Sequence, residues 1–134
     1  MNGLVFGCLT LAAGWLAPIT ACGASHVECE CADPTLRVAV PRDVAASAMG
    51  LVLSGACAGE KVSCMQSAGS GCVEYDFVAH KAGACHIDLD FATGRRFSAD
   101  VKITQSAGCC AGFFPEPVSA GNIQVPEMDA GAGG

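Results

Sequence analysis

Residues 35–40 alternate in character, with Leu36, Val38 and Val40 on one side, Thr35 and Arg37 on the other, and Pro41 ending the run. A period of two places successive side chains on opposite faces, so this segment predicts a strand. Residues 43–49 are alanine-rich and predict one helical turn, and residues 50–54 (Gly50, Leu51, Val52, Leu53, Ser54) predict a second strand. Residues 57–71 are rich in Ala, Ser and Gly and read as loop.

The strongest alternation lies in three runs, 72–80, 84–92 and 96–104, separated by Lys81-Ala82-Gly83 and Thr93-Gly94-Arg95. Each separator holds a glycine able to take positive φ, so a three-stranded meander with three-residue loops is predicted. Across the first loop this register sets Phe77 opposite Ile87, Tyr75 opposite Leu89 and Val73 opposite Phe91. Across the second it sets Phe91 opposite Phe97, Leu89 opposite Ala99, Ile87 opposite Val101 and Cys85 opposite Ile103. Every pair is apolar, and a slip of one residue would turn all of them outward. The fold class expected is all-β: a small antiparallel sandwich, Ig-like, or a barrel.

The first 25 residues carry no charged side chain, and residues 4–16 form a 13-residue apolar run. That is the length of a signal-peptide h-region, too short to span a bilayer. Pro18 follows, and then Ile19-Thr20-Ala21-Cys22. This tetrad resembles the lipobox of bacterial lipoproteins. The resemblance implies cleavage after Ala21 and a diacylglycerol on the Cys22 sulfur, with palmitate-type acylation of the new N-terminus. Several acyl chains on one residue anchor a protein stably, where one would be marginal. Gly23 stands where the family's inner-membrane retention signal places Asp, which implies an outer-membrane or surface destination. Cleavage near Ala24 with secretion, or an uncleaved span over residues 3–25, are the other fates such a leader allows. The Ala/Gly-rich composition and the segment Gly108-Cys109-Cys110-Ala111-Gly112-Phe113-Phe114 look like the small cysteine-rich envelope lipoproteins of myxobacteria. The division expected is a signal peptide at 1–21, a lipidated tether at 22–34, a β domain at 35–125 and a disordered tail at 126–134.

Composition makes a covalent framework necessary. The hydrophobic share is 51%, but it includes 23 alanines and 10 cysteines. After residue 21 only 23 Leu, Ile, Val and Phe side chains remain in 113 residues, a thin supply for a core. Setting aside Cys8 and Cys22 leaves Cys29, Cys31, Cys57, Cys64, Cys72, Cys85, Cys109 and Cys110. An even number in a small exported domain reads as disulfides. The vicinal thiols of Cys109 and Cys110 point to opposite sides when extended, so each can reach a different partner. Cys85, opening the middle strand of the meander on its core face, is expected to be tied to that pair. A soft-metal site would draw on the same cysteines with His26, His80 and His86, but no paired C-x₂₋₄-C knuckle occurs.

The formal net charge is −6, with seven basic residues scattered along the chain, so nucleic acid is not an expected partner. The meander register gathers Glu74, Asp76, Asp88, Asp90 and Asp100 on one outer face, with Asp76, Asp88 and Asp100 in a row. Crowded carboxylates repel across strands, and calcium, which takes oxygen ligands in flexible geometry, would relieve them. His86, Asp88 and Lys102 on that face form a conceivable acid–base trio. No thioredoxin-type C-x-x-C, G-x-S-x-G, H-E-x-x-H or phosphate-loop motif is present. The expected function is therefore a lipid-anchored cell-envelope protein, not an enzyme. Its β domain serves as an interaction or structural module for an envelope protein or glycan, without a cofactor. Calcium binding by the acidic face, or thiol chemistry at Cys29-Glu30-Cys31, are the alternatives.

Overall fold

The computed structural model describes residues 28–128, so the leader, Cys22, His26 and residues 129–134 of the tail lie outside the described residues. The described residues form eight strands: β1 (Thr35–Ala39), β2 (Ala48–Gly55), β3 (Ser63–Ala68), β4 (Gly71–Val78), β5 (Gly83–Phe91), β6 (Arg96–Ser106), β7 (Gly112–Glu116) and β8 (Asn122–Gln124). One short helix, α1 (Arg42–Ala45), joins β1 to β2. Two four-stranded sheets result, ordered β3-β4-β1-β8 and β2-β5-β6-β7. All pairings are antiparallel except that of β1 with β8. The fold is the expected all-β sandwich.

The alternating runs supply its two inner faces. Leu36, Val38, Val73, Tyr75 and Phe77 come from one sheet; Ile87, Leu89, Phe91, Val101 and Ile103 come from the other, all buried. Phe97 and Ala99 pack against them at the margin. Among the described residues no polar or charged residue is buried, so the core asks nothing of hydrogen bonding.

The meander itself needs two corrections. β4 does not pair with β5: it lies between β3 and β1, and β5 lies between β2 and β6 in the opposite sheet. Phe77 and Ile87, Tyr75 and Leu89, and Val73 and Phe91 are therefore not cross-strand neighbours. Alternation alone cannot separate the two cases, because an apolar face is satisfied equally by a lateral neighbour or by a sheet packed over it. The connection decides. Ala79 continues inward and is buried, while Glu60 accepts the His80 backbone N–H at 3.1 Å and meets the His80 ring Nδ1 at 2.9 Å. These contacts carry the chain over the end of the sandwich.

β5 and β6 do pair, but two residues out of the expected register: Leu89 faces Phe97, Ile87 faces Ala99 and Cys85 faces Val101. Gly94 has φ +85°, and a three-residue loop built on a type I turn needs that left-handed residue at its last position. The loop is thus 92–94, closed by the Phe91 N–H donating to the Arg95 carbonyl at 2.9 Å. A shift of two keeps every side chain on its face, which is why the inner residues agree despite the error.

Part of the segment read as loop is the edge strand β3. Residues from Ser63 to Ser67 are all exposed, so no periodic burial exists to betray it. It is held by the β4 ladder, through two register irregularities, and by the Cys64–Cys72 bridge. At the other end of the chain, Met128 packs against the core, so the tail is engaged beyond Pro126.

All eight cysteines of the described region are bridged: Cys29–Cys109, Cys31–Cys110, Cys57–Cys85 and Cys64–Cys72, with Cα separations of 6.1, 5.3, 5.1 and 5.9 Å. Cys109 and Cys110 do reach different partners, from a 3₁₀ turn at Gly108–Cys110. Neither partner is Cys85. Cys85 points into the core and meets Cys57, both fully buried, whereas the vicinal pair sits beyond the end of β6. Residues 29–31, placed in the tether, are bolted to the domain, in line with the disulfide role expected of Cys29 and Cys31.

Chain-entropy arithmetic gives the 28-residue separation of Cys57 and Cys85 about 3.5 kcal/mol and the 8-residue separation of Cys64 and Cys72 about 2.5 kcal/mol. Replacing Cys57 and Cys85 together by Ala should therefore lower unfolding stability by about 3.5 kcal/mol or more, since it also opens space in the core. Replacing Cys64 and Cys72 should cost less. Urea denaturation of both double variants tests the order, and a larger loss from the Cys64/Cys72 change would contradict it.

Candidate functional site

The five carboxylates expected on one face are divided between two. Asp88, Asp90 and Asp100 lie on the outer face of β5 and β6; Glu74 and Asp76 lie on the outer face of β4, across the sandwich. There is no row of Asp76, Asp88 and Asp100. The β5–β6 face is instead a ladder of matched pairs. Asp90 receives Arg96 in a two-point contact, Nε at 2.6 Å and Nη2 at 3.1 Å. Asp88 accepts the Ser98 hydroxyl, Asp100 meets the His86 ring, and Lys102 reaches Glu116 at 2.9 Å.

The trio of His86, Asp88 and Lys102 is accordingly not assembled, each member having a different partner. Among the described residues no three His, Cys, Asp or Glu side chains converge as a metal ion would require. Among the described residues every cysteine is bridged, so none offers a thiolate beside His80 or His86. What the sheet topology removes is the geometry from which the calcium site was drawn.

A second arrangement forms where β1 begins and β4 ends. β1 and β4 set Arg37 opposite Asp76, and β3 sets Ser63 opposite Asp76 from the other side. A groove of about 330 Å³ runs over this outer face, bordered by Thr35, Glu60, Ser63, Met65, Asp76 and His80. Asp76 Oδ2 accepts Arg37 Nε at 3.4 Å, while its Oδ1 is buried and has no hydrogen-bond partner, alone in this among the described residues. A buried acceptor left unpaired costs about 1–3 kcal/mol. Arg37 is shared with Asp33, Nη2 to Oδ2 at 3.4 Å, and Asp33 Oδ1 accepts the Thr35 backbone N–H at 2.9 Å. The Thr35 hydroxyl and then its N–H hold the Asp33 carboxyl below the ordinary aspartate range.

The groove thus offers carboxylate acceptors, hydroxyls, an imidazole and the Lys61 ammonium beside the thioether of Met65, which is 61% exposed. Pockets of this mixed kind bind polar ligands with some apolar surface. Sequence reading missed it because Glu60 and Ser63 lay in the supposed loop and Asp76 was drawn to the wrong sheet. The alternation of Arg37 with Leu36 and Val38 was the available signal, since it puts a cation on the outer face of β1.

Among the described residues no helix is long and apolar enough to cross a membrane. Compared with known protein families, curated proteins and solved structures, the chain matches none.

The Arg96 guanidinium, first by hydrogen bonding and then by charge, holds the Asp90 carboxyl below its ordinary 3.8. A depressed carboxyl contributes above its unfolded value and loses that contribution as pH falls through the folded one. In an NMR titration Asp90 should ionise below an exposed aspartate, and Arg96→Ala should return it to the ordinary range. An Asp90 midpoint indifferent to Arg96→Ala would contradict the pairing.

Proposed function

We propose that the protein is a lipid-anchored cell-envelope protein whose β-sandwich acts as a binding or structural module, not as an enzyme. The observation that carries this reading is the cysteine framework. The eight described cysteines pair among themselves, so the domain makes no demand on Cys22. Such a framework belongs to an oxidising compartment. Cys22 stands where the lipobox resemblance implies a lipid, directly ahead of the stapled domain. Gly23 after it favours the outer membrane or cell surface.

The module's ligand-facing site is the groove beside Asp76. Its chemistry suits an envelope glycan or peptide segment that hydrogen-bonds the groove's polar rim and lays apolar surface along Met65. No catalytic step is assigned to the His80–Glu60 or His86–Asp100 pairs, which hold a strand connection and a cross-strand contact.

Changing Cys22→Ser should move the protein out of the detergent phase, or stall it uncleaved at the higher mass, because no other residue can take the thioether lipid. The Cys64→Ser, Cys72→Ser variant should stay in the detergent phase, since it removes only the bridge between the edge strand β3 and its neighbour β4. Phase partitioning with intact mass measurement reads both. Unchanged detergent partitioning and mass of the Cys22→Ser protein would sink the lipoprotein reading.

A further inference from the structure

The two ends of the sandwich are chemically and topologically distinct. At one end lie the starts of β1, β3, β5 and β7 and the ends of β2, β4 and β6, as the pairs Thr35 with Val78, Gly55 with Cys85, Gly83 with Ile103 and Ser106 with Gly112 require. The connection 79–82, only four residues long, crosses between the sheets here, so both sheets share this end. The opposite end holds α1 and the turns between β3 and β4 and between β5 and β6. It is tied together by the Ala92 N–H donating to the Ser47 carbonyl at 2.7 Å and by Gly71 packed on the Ala45 backbone. Cys109 and Cys110 follow β6, so the bridges to Cys29 and Cys31 fasten the incoming chain to the first end.

We infer that these paired bridges form a clasp that keeps this end of the sandwich nearer the bilayer than the α1 end. The inference rests on lipid attachment at Cys22 as proposed above, and chain lengths decide it. From Cys22 to Cys29 is seven residues, at most about 25 Å of extended chain. β6 runs from one end to the other in 11 residues, about 34 Å. A leash shorter than the domain keeps the clasped end within about 25 Å of the lipid and excludes the inverted pose with the α1 end pointing down, so the far end stands farther out on average. Without the clasp the free chain would run to Thr35, thirteen residues or about 45 Å, and any face could reach the lipid.

The doubling of the bridge fits the same role. Once Cys29 is joined to Cys109, the bridge Cys31–Cys110 closes a loop of only a few further residues and removes little entropy from the unfolded chain. Cys31 and Cys109 are exposed, so the bridges are not core packing either. Two adjacent bridges hold residues 29–31 against the 108–110 turn at two points, so the leash leaves from this end of the sandwich. The α1 end, with Arg42 and the 92–95 turn, is therefore the face presented to other envelope components. The groove beside Asp76 lies at the membrane-proximal end.

The test uses the lipidated full protein purified from membranes and reconstituted in phosphatidylcholine vesicles containing a dansyl-headgroup lipid. The chain's one tryptophan, Trp15, lies in the leader, so an introduced tryptophan reports alone on the cleaved protein. Lys81→Trp reports from the clasp end and Thr93→Trp from the far turn, both at exposed positions. Energy transfer to the dansyl lipid should be several-fold stronger from position 81 than from position 93. In the background Cys29→Ser, Cys31→Ser, Cys109→Ser, Cys110→Ser, the difference should largely disappear. Equal transfer from the two positions with the clasp intact, or stronger transfer from position 93, overturns the inference, whether or not the clasp-free variant folds. A protein that carries no lipid by mass and fails to float with the vesicles overturns the anchor reading and the orientation together. Lipidated, floating protein with equal transfer overturns the orientation alone.

Discussion

Covalent closure is what the rest of this molecule depends on. The inner faces meet through a modest set of side chains, among them Leu36, Phe77, Ile87, Leu89 and Ile103, and six of the eight described cysteines lie outside the periodic runs that build those faces. Burial on this scale leaves a small domain near the edge of stability, because ordering the backbone opposes it at about 1–2 kcal/mol per residue. Four bridges shift the balance by restricting the unfolded chain. Their placement matters as much as their number. Cys57–Cys85 joins the segment after β2 to the start of β5 inside the core, Cys64–Cys72 holds an edge strand with no buried face, and the adjacent pair fastens the N-terminal segment.

The framework also explains how the surfaces can be so polar. With the core made of apolar groups alone, charge is left to the two outer faces. On β5 and β6 it appears as cross-strand pairs of opposite sign or of donor with acceptor, such as Asp90 with Arg96 and Asp88 with Ser98. That arrangement removes the repulsion a row of carboxylates would create. The outer face around Arg37 and Asp76 is less complete. One buried carboxylate oxygen goes unanswered there.

Much of the sandwich was legible because periodicity two is a strong signal where large apolar residues carry it. Val73, Tyr75 and Phe77 declare one inner face, and Ile87, Leu89 and Phe91 another, whatever strands they adjoin. What periodicity does not encode is which strand lies beside which, and there the reading failed: β4 to β5 looked like a hairpin and is a crossover between sheets. The position of Gly94 in its loop carried enough information to correct the β5–β6 register, through the φ that a closing residue needs. β3 carried almost none, because an exposed edge strand of Ser63, Cys64, Met65, Gln66 and Ser67 has no buried side to alternate with. The groove depends on β3 and on the partnership of β1 with β4, so it became visible only in three dimensions. Cysteine count foretold that the thiols would be used up, yet pairing follows the topology, and an error in topology became an error at Cys85.

Disulfide mapping of the unreduced protein tests this account most directly. Trypsin cuts after Arg37, Lys61, Lys81, Arg95 and Lys102, which places Cys57, the Cys64 and Cys72 pair, Cys85, and the Cys109 and Cys110 pair on separate peptides. The peptide holding Cys57 should remain joined to the one holding Cys85, and the peptide 62–81 should carry its own internal bridge. The peptide ending at Arg37 should be held by two bonds to the one beginning at Ile103. A bond between the Cys85 peptide and the one beginning at Ile103, or free thiols at Cys57 and Cys85, would contradict the framework on which the fold has been explained.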